Sequence, residues 1–533
     1  MNTKHLKAKI LDLAIRGKLV PQDLSEGNAA DLLQKIRDEK AELIKQKKLK
    51  EDKKSSLIIK ADDGKYYEQF IDGSLIDIED EIPFEIPENW YWCRLREITT
   101  ILGDGLHGTP KYDKNGDYYF INGNNLENGK IIIKSDTQKV DDTEYQKYKK
   151  ELNDNTVLVS INGTIGNIAF YNNEKIILGK SACYFNLISP SFKNYIYLLI
   201  KTSFFLVYAT TNATGSTIKN VSLDTMRNFL LPFPPLSEQQ RIFSAIEKAF
   251  EQIDIIEKNK LKLKTYIKQT KSKVLDLAIH GKLVEQNPSE GNAFELLETI
   301  RKEKNELIKQ KKLKEDKKSS FIIKAEDGKH YEQFADGSLK DIEDEIPFEI
   351  PENWCWCRLR DIGIYKKGPF GSALTKAIFV SKSDSTIKVY EQQNAIKKNH
   401  ELGHYYIKRD YFESNMKGFE VHPGDIIVSC AGTIGETYIL PENIEKGIIN
   451  QALMKMTITN ELSVQFFLMY FDHILKTASA DSGKGTAMKN IPPFDIFKQF
   501  LFPLPPLSEQ KRIVKKINQI FGQLDILEKS IGE

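Results

Sequence analysis

The chain contains one long direct repeat, which limits the possible folds more than any other feature of the sequence. Residues 11–98 align without a gap to residues 275–362, and 71 of these 88 positions are identical. Each copy contains LDLAI, GKLV and SEGNA, followed by a Lys-rich stretch and the acidic sequence DIEDEIPFEIPENW. A repeat of this length predicts that one structural unit is built twice. We therefore expect two copies of a scaffold in 533 residues, a length that allows about three or four domains.

A second pattern predicts an unusually long helix over residues 236–281. Apolar residues recur at the three- and four-residue spacing of an amphipathic helix, at Ile242, Ile246, Phe250, Ile253 and Ile256. Its boundaries are indicated by Pro234 and Pro235 before it, a capping-box pattern of Ser237 and Gln240, and Gly281 at its end. About 44 residues of helix would be roughly 66 Å long at 1.5 Å per residue. Because no small domain needs such a helix, we expect a spacer.

The two halves of this long helix reappear at opposite ends of the chain. Its first half is repeated in residues 505–529, and its second half is repeated in residues 11–20. A repeat unit cut open at the termini predicts a cyclic, pseudo-two-fold arrangement with the two ends close together. Helices at residues 1–20 and 507–533 would then rebuild a second long helix.

Lys-rich stretches at residues 44–56 and 308–320 admit two interpretations. They could form a nucleic-acid-binding tail. A solvated helix face and linker is favoured, since Asp and Glu interrupt the Lys residues and aromatic residues are absent. We therefore expect residues 21–89 and 282–353 to be a repeated charged helix and linker, from which Pro residues lead an extended strand into Trp90 and Trp354.

Between the repeated parts lie two globular segments, predicted at residues 90–232 and 354–503. Lys and Arg exceed Asp and Glu by three in residues 91–230 and again by three in 355–500. The segments are largely unlike but share two motifs: NTVLVSINGTIGN (155–167) matches GDIIVSCAGTIGE (424–436), and GSTIKN (215–220) matches GTAMKN (485–490). Alternating β-branched runs broken by Gly- and Asn-rich turns predict a mixed α/β fold.

This order of motifs resembles the specificity subunit of type I restriction-modification systems. A helix, a PENWxWxRL sequence, a variable segment and a PPLSEQ sequence occur twice in that order and cover nearly the whole chain. The resemblance implies two target-recognition domains, each binding one half of a split double-stranded DNA site, held apart by a pair of long antiparallel helices. It also implies partners, namely two adenine methyltransferase subunits and, in the restricting complex, motor-nuclease subunits.

The same resemblance suggests which residues meet DNA. Residues 102–131 and 366–374 look like two alternative openings of such recognition domains, in which Gly and Pro fix a loop. The candidates for contact with DNA are His107, Thr109, Lys111 and Tyr112, then Lys219 and Asn220 in GSTIKN, then Lys367 and Ser372, and finally Lys489 and Asn490 in GTAMKN. Each of these loops can equally be a plain structural turn.

Two short sequences approach motifs of enzymes. Residues 490–494 approach the DPPY-like loop of an amino-methyltransferase, but Ile491 occupies the polar position. Gly483 and Lys484 lack the first glycine of a phosphate loop, because Ala478 stands there. We therefore expect no catalytic residue, cofactor or metal site, and we expect the five cysteines to be free thiols.

Three classes of function remain: a DNA-reading specificity subunit, an enzyme, and a coiled-coil adaptor that binds only proteins. The basic excess in two unlike domains favours the first. Within it, a methylation-only or type II-like assembly is an open alternative. The lack of an apolar run of about 18 residues or of a signal peptide predicts a cytoplasmic protein with no membrane contact.

Overall fold

The computed structural model describes residues 2–52, 54–315, 319–431, 433–480 and 494–532. The chain divides into two units, residues 2–261 and 262–532. Each unit contains repeated helices, a small antiparallel sheet and a larger α/β domain. The predicted mixed α/β class with two globular domains is confirmed.

The first unit contains fourteen strands among its described residues and most of its mass lies in the α/β domain. Its helices are α1 (Thr3–Ile15), α2 (Ala29–Lys45), α3 (Asp142–Tyr148), α4 (Lys193–Ile200), α5 (Ser203–Thr211), α6 (Leu223–Asn228) and α7 (Leu236–Ile279), the last of which continues into the second unit. Its strands are β1 (Ser56–Lys60), β2 (Tyr66–Phe70), β3 (Leu75–Asp77), β4 (Tyr91–Arg94), β5 (Thr99–Asp104), β6 (Tyr118–Ile121), β7 (Leu126–Glu127), β8 (Lys130–Ile131), β9 (Lys139–Val140), β10 (Thr156–Ser160), β11 (Ile168–Phe170), β12 (Ile176–Leu178), β13 (Ala182–Leu187) and β14 (Leu230–Phe233).

The second unit repeats this plan with its own elements. Its further helices are α8 (Ala293–Lys309), α9 (Leu359–Ile362), α10 (Gln392–Ile396), α11 (Arg409–Tyr411), α12 (Val464–Ala480), α13 (Phe494–Phe497) and α14 (Leu507–Gly532). Its strands are β15 (Ser320–Lys324), β16 (His330–Phe334), β17 (Leu339–Asp341), β18 (Cys355–Arg358), β19 (Gly363–Lys367), β20 (Thr386–Tyr390), β21 (Tyr406–Lys408), β22 (Glu420–Val421), β23 (Ile426–Ser429), β24 (Thr437–Ile439), β25 (Gly447–Ile449), β26 (Leu453–Ile458) and β27 (Leu501–Leu504).

The long helix α7 has 44 residues, which corresponds to about 66 Å. It begins at Leu236, so Ser237 lies inside the first turn, and the predicted capping box is wrong. The first turn is instead held by the side chain of Gln239, whose amide donates to the Pro234 carbonyl (2.9 Å). The helix ends at Ile279, two residues before the predicted end. Gly281 follows at φ +66°, a conformation that favours glycine.

Each unit contains an antiparallel helix pair in which α7 is one member. In the first unit Lys7 of α1 pairs with Asp254 (2.5 Å), while Leu11, four residues later, packs in one cluster with Ile242 and Ile246. Residue numbers that increase along α1 are therefore matched by residue numbers that decrease along α7, so the two helices are antiparallel.

In the second unit the partner of α7 is α14. Lys271 pairs with Asp525 (2.6 Å) near the end of α14, whereas Ala278 shares a core with Ile513 and Ile517 near its beginning. The N-terminal helix α1 is shorter than predicted, since it ends at Ile15.

The repeated motifs contact one another, which explains why they occur together. Glu238 of PPLSEQ is fully buried and accepts hydrogen bonds from the Trp90 indole N–H (2.9 Å) and the Gln22 amide (2.7 Å). In the second unit Glu509 accepts from Gln286 (2.7 Å) and Asn353 (3.2 Å). A buried carboxylate requires such donors, so the doubled motifs are one structural joint used twice.

The predicted linkers contain a sheet that the sequence analysis missed. Helices α2 and α8 end at Lys45 and Lys309, and the strands β1–β2–β3 and β15–β16–β17 form three-stranded antiparallel sheets. Each sheet is joined to the next strand by a buried ion pair, Arg94 with Glu68 (2.8 Å) and Arg358 with Glu332 (2.8 Å). The interpretation of these regions as helix and linker alone is therefore wrong.

Both α/β domains share their main strand pairings despite their unlike sequences, although the sheet that contains the parallel pair has three strands in the first domain (β12–β6–β9) and four in the second (β21–β20–β25–β22). In the first, β4 pairs with β14, β11–β10–β13–β5 form an antiparallel sheet, and β6 pairs in parallel with β12. In the second, β18 pairs with β27, β24–β23–β26–β19 form the corresponding sheet, and β20 pairs in parallel with β25. The incoming and outgoing strands thus close each domain at its base.

Candidate nucleic-acid interface

Several loops of the first α/β domain meet at one edge of its sheets. Strand β5 ends at Asp104, β10 ends at Ser160, and β13, antiparallel to both, begins at Ala182. The loops 105–112, 161–167 and 179–181 therefore lie together, and we call them the first recognition edge.

Backbone hydrogen bonds hold the opening loop of this edge. The Leu106 N–H donates to the Leu178 carbonyl (2.6 Å), and the Lys180 N–H donates to the Leu106 carbonyl (3.0 Å). A Cβ atom on Gly105 would lie 2.1 Å from the Leu178 oxygen. The DG of the DGLHGTP sequence is thus explained by a close approach that only glycine allows.

The four candidates on this loop are all exposed, but they do not form one cluster. His107 Nε2 lies 2.6 Å from Asp104 Oδ2, and the His107 side chain is 70% exposed. Thr109 is exposed beside it in sequence. The Lys111 backbone N–H donates to Glu144 (3.0 Å), and the Tyr112 ring lies 6.0 Å from that of Phe120. Lys111 and Tyr112 are therefore anchored toward α3 and β6.

The two shared motifs of this domain are brought into contact. The amide of Asn162, in NTVLVSINGTIGN, donates to Asn220 Oδ1 (3.1 Å), and the Gly163 N–H donates to the Lys219 carbonyl (3.2 Å). Lys219 and Asn220 are exposed. Both lie on the first recognition edge. Asn220 is 58 residues away in sequence from Asn162, which it contacts.

The second domain has a corresponding edge, formed by residues 367–374, 391–394, 430–431 and 450–452 and called here the second recognition edge. Lys367 is the last residue of β19 and is exposed, and Ser372 is exposed in a 3₁₀ turn. A Cβ atom on Gly368 would lie 1.8 Å from the Asn450 oxygen, so Gly368 repeats the role of Gly105. Nearby, burial raises the pKa of the Cys430 thiol to about 12, and the positive charge of Lys367 opposes this shift.

The other shared motif builds the same turn in both domains. The Ser160 hydroxyl donates to the Thr164 carbonyl and accepts from the Asn167 N–H (3.0 Å). The Ser429 hydroxyl donates to the Thr433 carbonyl (2.5 Å), and it likewise accepts a backbone N–H seven residues later. Lys489 and Asn490 lie outside the described residues. Most of residues 478–494, which include the two sequences that approach enzyme motifs, also lie outside them.

Sequence analysis missed polar residues at the turns that follow the parallel strands. After β6, Asn122 accepts from Ser181 (2.9 Å), and Asn125 closes a capping box with Asn122. After β20, Glu391 and Asn394 form the matching box. In the sequence, each of these turns is a group of polar residues that ends in Asn and follows a strand of β-branched and aromatic residues.

The cysteines and the possible metal ligands can be located among the described residues. All five cysteines are free and buried, and burial raises the pKa of Cys355 to about 12. Within the described ranges, no group of three or more His, Cys, Asp or Glu side chains is placed to hold a metal ion. No helix in those ranges is both long and apolar enough to cross a membrane.

This chain is similar to proteins that are described as specificity subunits of type I restriction enzymes. The specificity subunits of the type I restriction enzymes EcoEI and EcoAI, both from Escherichia coli, are 25% and 26% identical to it. Their alignments cover 98% and 97% of this chain and 90% and 88% of those proteins. The crystal structure of the HsdS subunit from Thermoanaerobacter tengcongensis is 15% identical, with a TM-score of 0.48, over 84% of this chain and 93% of that one.

A family model, described as the type I restriction modification DNA specificity domain, matches residues 87–265 and 351–533. These two stretches contain the two α/β domains and the helices that follow them, and together they make up more than half of the chain. The protein therefore belongs to the family of type I restriction-modification DNA specificity subunits.

Proposed function

We propose that this chain reads a two-part, asymmetric double-stranded DNA site, with each α/β domain binding one half. The observation that carries the proposal is the pair of recognition edges, which are built on corresponding four-stranded sheets but have unlike residues. Equal scaffolds place two loop sets in equivalent positions, while different side chains give each set its own base preference. Two unlike half-sequences separated by unspecified bases would be the result.

Lysine side chains would fix each domain on phosphates, and polar side chains on the loops would read base edges. His107, Thr109, Lys219 and Asn220 are the proposed contacts on the first edge. On the second edge the proposed contacts are Lys367 and Ser372, and Lys489 and Asn490 are proposed from sequence alone, because GTAMKN matches GSTIKN. Lys111 and Tyr112 would contact the flanking backbone of the first half-site, since they lie at the end of the loop that is held by Glu144 of α3 and Phe120 of β6.

The proposed partners are two adenine methyltransferase subunits and the restriction subunits of a motor-nuclease. Two copies of each scaffold element, including the Glu238 and Glu509 joints, support two equivalent docking positions. The chain itself would catalyse neither methyl transfer nor cleavage. It would act in the cytoplasm.

The length of α7 supports a role as a ruler, that is, as the element that sets the distance between the two half-sites. Half-sites on one face of a duplex are about 34 Å apart, or one helical turn, and a 44-residue helix exceeds that distance. The pair of helices would then set the number of unspecified bases.

Filter binding of duplex DNA by the complex over a salt series tests this proposal. Phosphate contacts give a linear fall of log affinity with log salt concentration, with a slope of about −0.9 per contact. A coiled-coil adaptor would show no DNA binding and no such slope. Sequencing the methylated bases of a strain that carries the system would identify the site, and the co-purifying subunits would distinguish a restricting complex from a methylation-only or type II-like one.

A further inference from the structure

One aromatic side chain on the second recognition edge is almost completely exposed. Phe370 is 88% exposed, the highest value for a large apolar side chain in the described ranges. Leaving an aromatic ring in water forgoes the free energy that its burial would contribute to folding. A single exposed apolar residue is ordinary on a protein surface. A functional role for Phe370 therefore has to be argued from where the residue lies.

The backbone around Phe370 is held in place. The Gly368 N–H donates to the Leu453 carbonyl (2.9 Å), and the Ala373 N–H donates to the Phe370 carbonyl (2.9 Å). Leu374 is only 5% exposed and packs in a core cluster. The ring is therefore presented from a turn that is anchored on both sides.

Lysines are the charged residues in the sequence of this turn, although Lys382 is paired with Glu445 (2.8 Å). Residues 366–382 contain four lysines, Lys366, Lys367, Lys376 and Lys382, and no acidic residue. Lys367 and Lys376 are exposed, and Lys367 ends the strand that leads into the turn. Phe370 is thus an apolar tip within a positively charged loop.

DNA presents the complementary chemistry, since anionic phosphates flank apolar base faces and thymine methyl groups. We infer that Phe370 enters a groove of the second half-site and contacts its bases, while the neighbouring lysines bind phosphates. This inference rests on the proposed function. A surface for another protein is the competing explanation, and the exposed Lys367 and Lys376 on either side of Phe370 in the sequence favour DNA over it.

The test uses the complex of the full chain with its methyltransferase subunits, with wild type compared with Phe370→Ala and Phe370→Leu. Ile439→Ala is a matched control, because Ile439 is 40% exposed on β24 of the same domain, beside Ile426 at the other end of the sheet. The first measurement is the affinity for a duplex that contains the recognised motif and for an unrelated duplex, each over a salt series. The second is the motif that the complex methylates in cells.

Phe370→Ala should bind the specific duplex about tenfold more weakly, the size of effect typical of one altered base-pair contact. Its salt slope should stay unchanged because no phosphate contact is removed. The methylated motif should become degenerate in one half only. Phe370→Leu should retain most of the affinity, and Ile439→Ala should behave like wild type.

Affinity within twofold of wild type, together with an unchanged motif, would overturn the inference. An equal loss on specific and unrelated DNA would also overturn it, as would loss of complex assembly with the thermal unfolding of the chain unchanged, because that result assigns Phe370 to a protein contact. If wild type itself shows no salt-dependent DNA binding, the proposed function fails as well, so the two failures are distinguishable.

Discussion

The buried ion pair between Arg94 and Glu68 supports a quantitative prediction about stability. Both side chains are less than 10% exposed, and the Arg94 guanidinium lies 2.8 Å from Glu68 and 2.9 Å from Glu81. It also donates to the Asn228 carbonyl (2.9 Å), which links the small sheet to the base of the first recognition domain. Arg94→Met removes these donors and leaves the Glu68 carboxylate buried without its main partner. We expect a loss of about 3–5 kcal/mol.

The second repeat provides the matched comparison. Glu332 accepts from Arg358 (2.8 Å) and also from Arg360 (2.6 Å). Arg358→Met therefore leaves one guanidinium on the carboxylate, and the expected loss is about 1.5–3 kcal/mol, the range for a hydrogen bond to a charged group. The two variants should differ although the two repeats are nearly identical in sequence.

Hydrogen exchange is the appropriate assay, because a chain with two units need not unfold in one step. Peptides from β2 and β16 report the opening free energy of each small sheet in the full-length protein. The double variant Arg94→Met with Glu68→Met should recover most of the loss, since removing both members of the pair leaves neither of the two charges buried without its partner. Equal losses in the two repeats, or a larger loss in Arg358→Met, would refute this account of the ion pairs.

The pH dependence of this loss has a definite sign. Burial alone would raise the pKa of Glu68, but the hydrogen bonds from Arg94 and Ser56 outweigh burial and hold the pKa below its ordinary value. A lowered pKa means that the pair stabilises the fold fully above the ordinary value of about 4.3 and loses this contribution as the pH falls through the folded-state pKa. The difference between wild type and Arg94→Met should therefore shrink in acid.

Three further predictions concern DNA. Lys219→Ala should reduce the magnitude of the salt slope of DNA binding by about 0.9, the value for one lost phosphate contact, and an unchanged slope would remove Lys219 from the interface. Exchanging residues 91–230 with 355–500 between their identical IPFEIPENW flanks should exchange the order of the two half-sites in the methylated motif, whereas a folded chimera with the original motif would contradict independent domains. Inserting four residues after Lys258 lengthens α7 by about 6 Å with its apolar stripe nearly in phase, so the methylated motif should gain one or two unspecified bases, and full activity with an unchanged spacer would exclude the helix as the ruler.

The long helix could be predicted from sequence because its information is local. Ile242, Ile246 and Ile253 recur at helical spacing, and all three are buried. The small sheets were missed for the opposite reason. Strand β1 has only five residues, and its sheet is joined to the rest of the unit by Glu68 and Arg94, which are 26 positions apart. Periodicity cannot report such a contact.

The candidate site shows the same limit. Glycines and prolines indicated fixed loops, and Gly105 does sit where only glycine fits. The position of that loop, however, depends on Leu106 pairing with Leu178 and on Asn162 meeting Asn220. These partners come from separate segments that no spacing rule connects, so the sequence suggested individual residues and could not place them on a common edge.

The contacts that anchor the two recognition edges explain how one scaffold can carry unlike loops. Leu106 and Gly368 are held through backbone hydrogen bonds to Leu178 and Leu453, and a backbone bond places few demands on the side chains beside it. The scaffold joints instead depend on particular side chains, such as the buried carboxylate of Glu238. Substitutions on the loops should therefore change base preference at little cost in stability, whereas substitutions at the joints should cost stability in either repeat. Near-identity is expected in the scaffold, and residues 11–98 and 275–362 do have it.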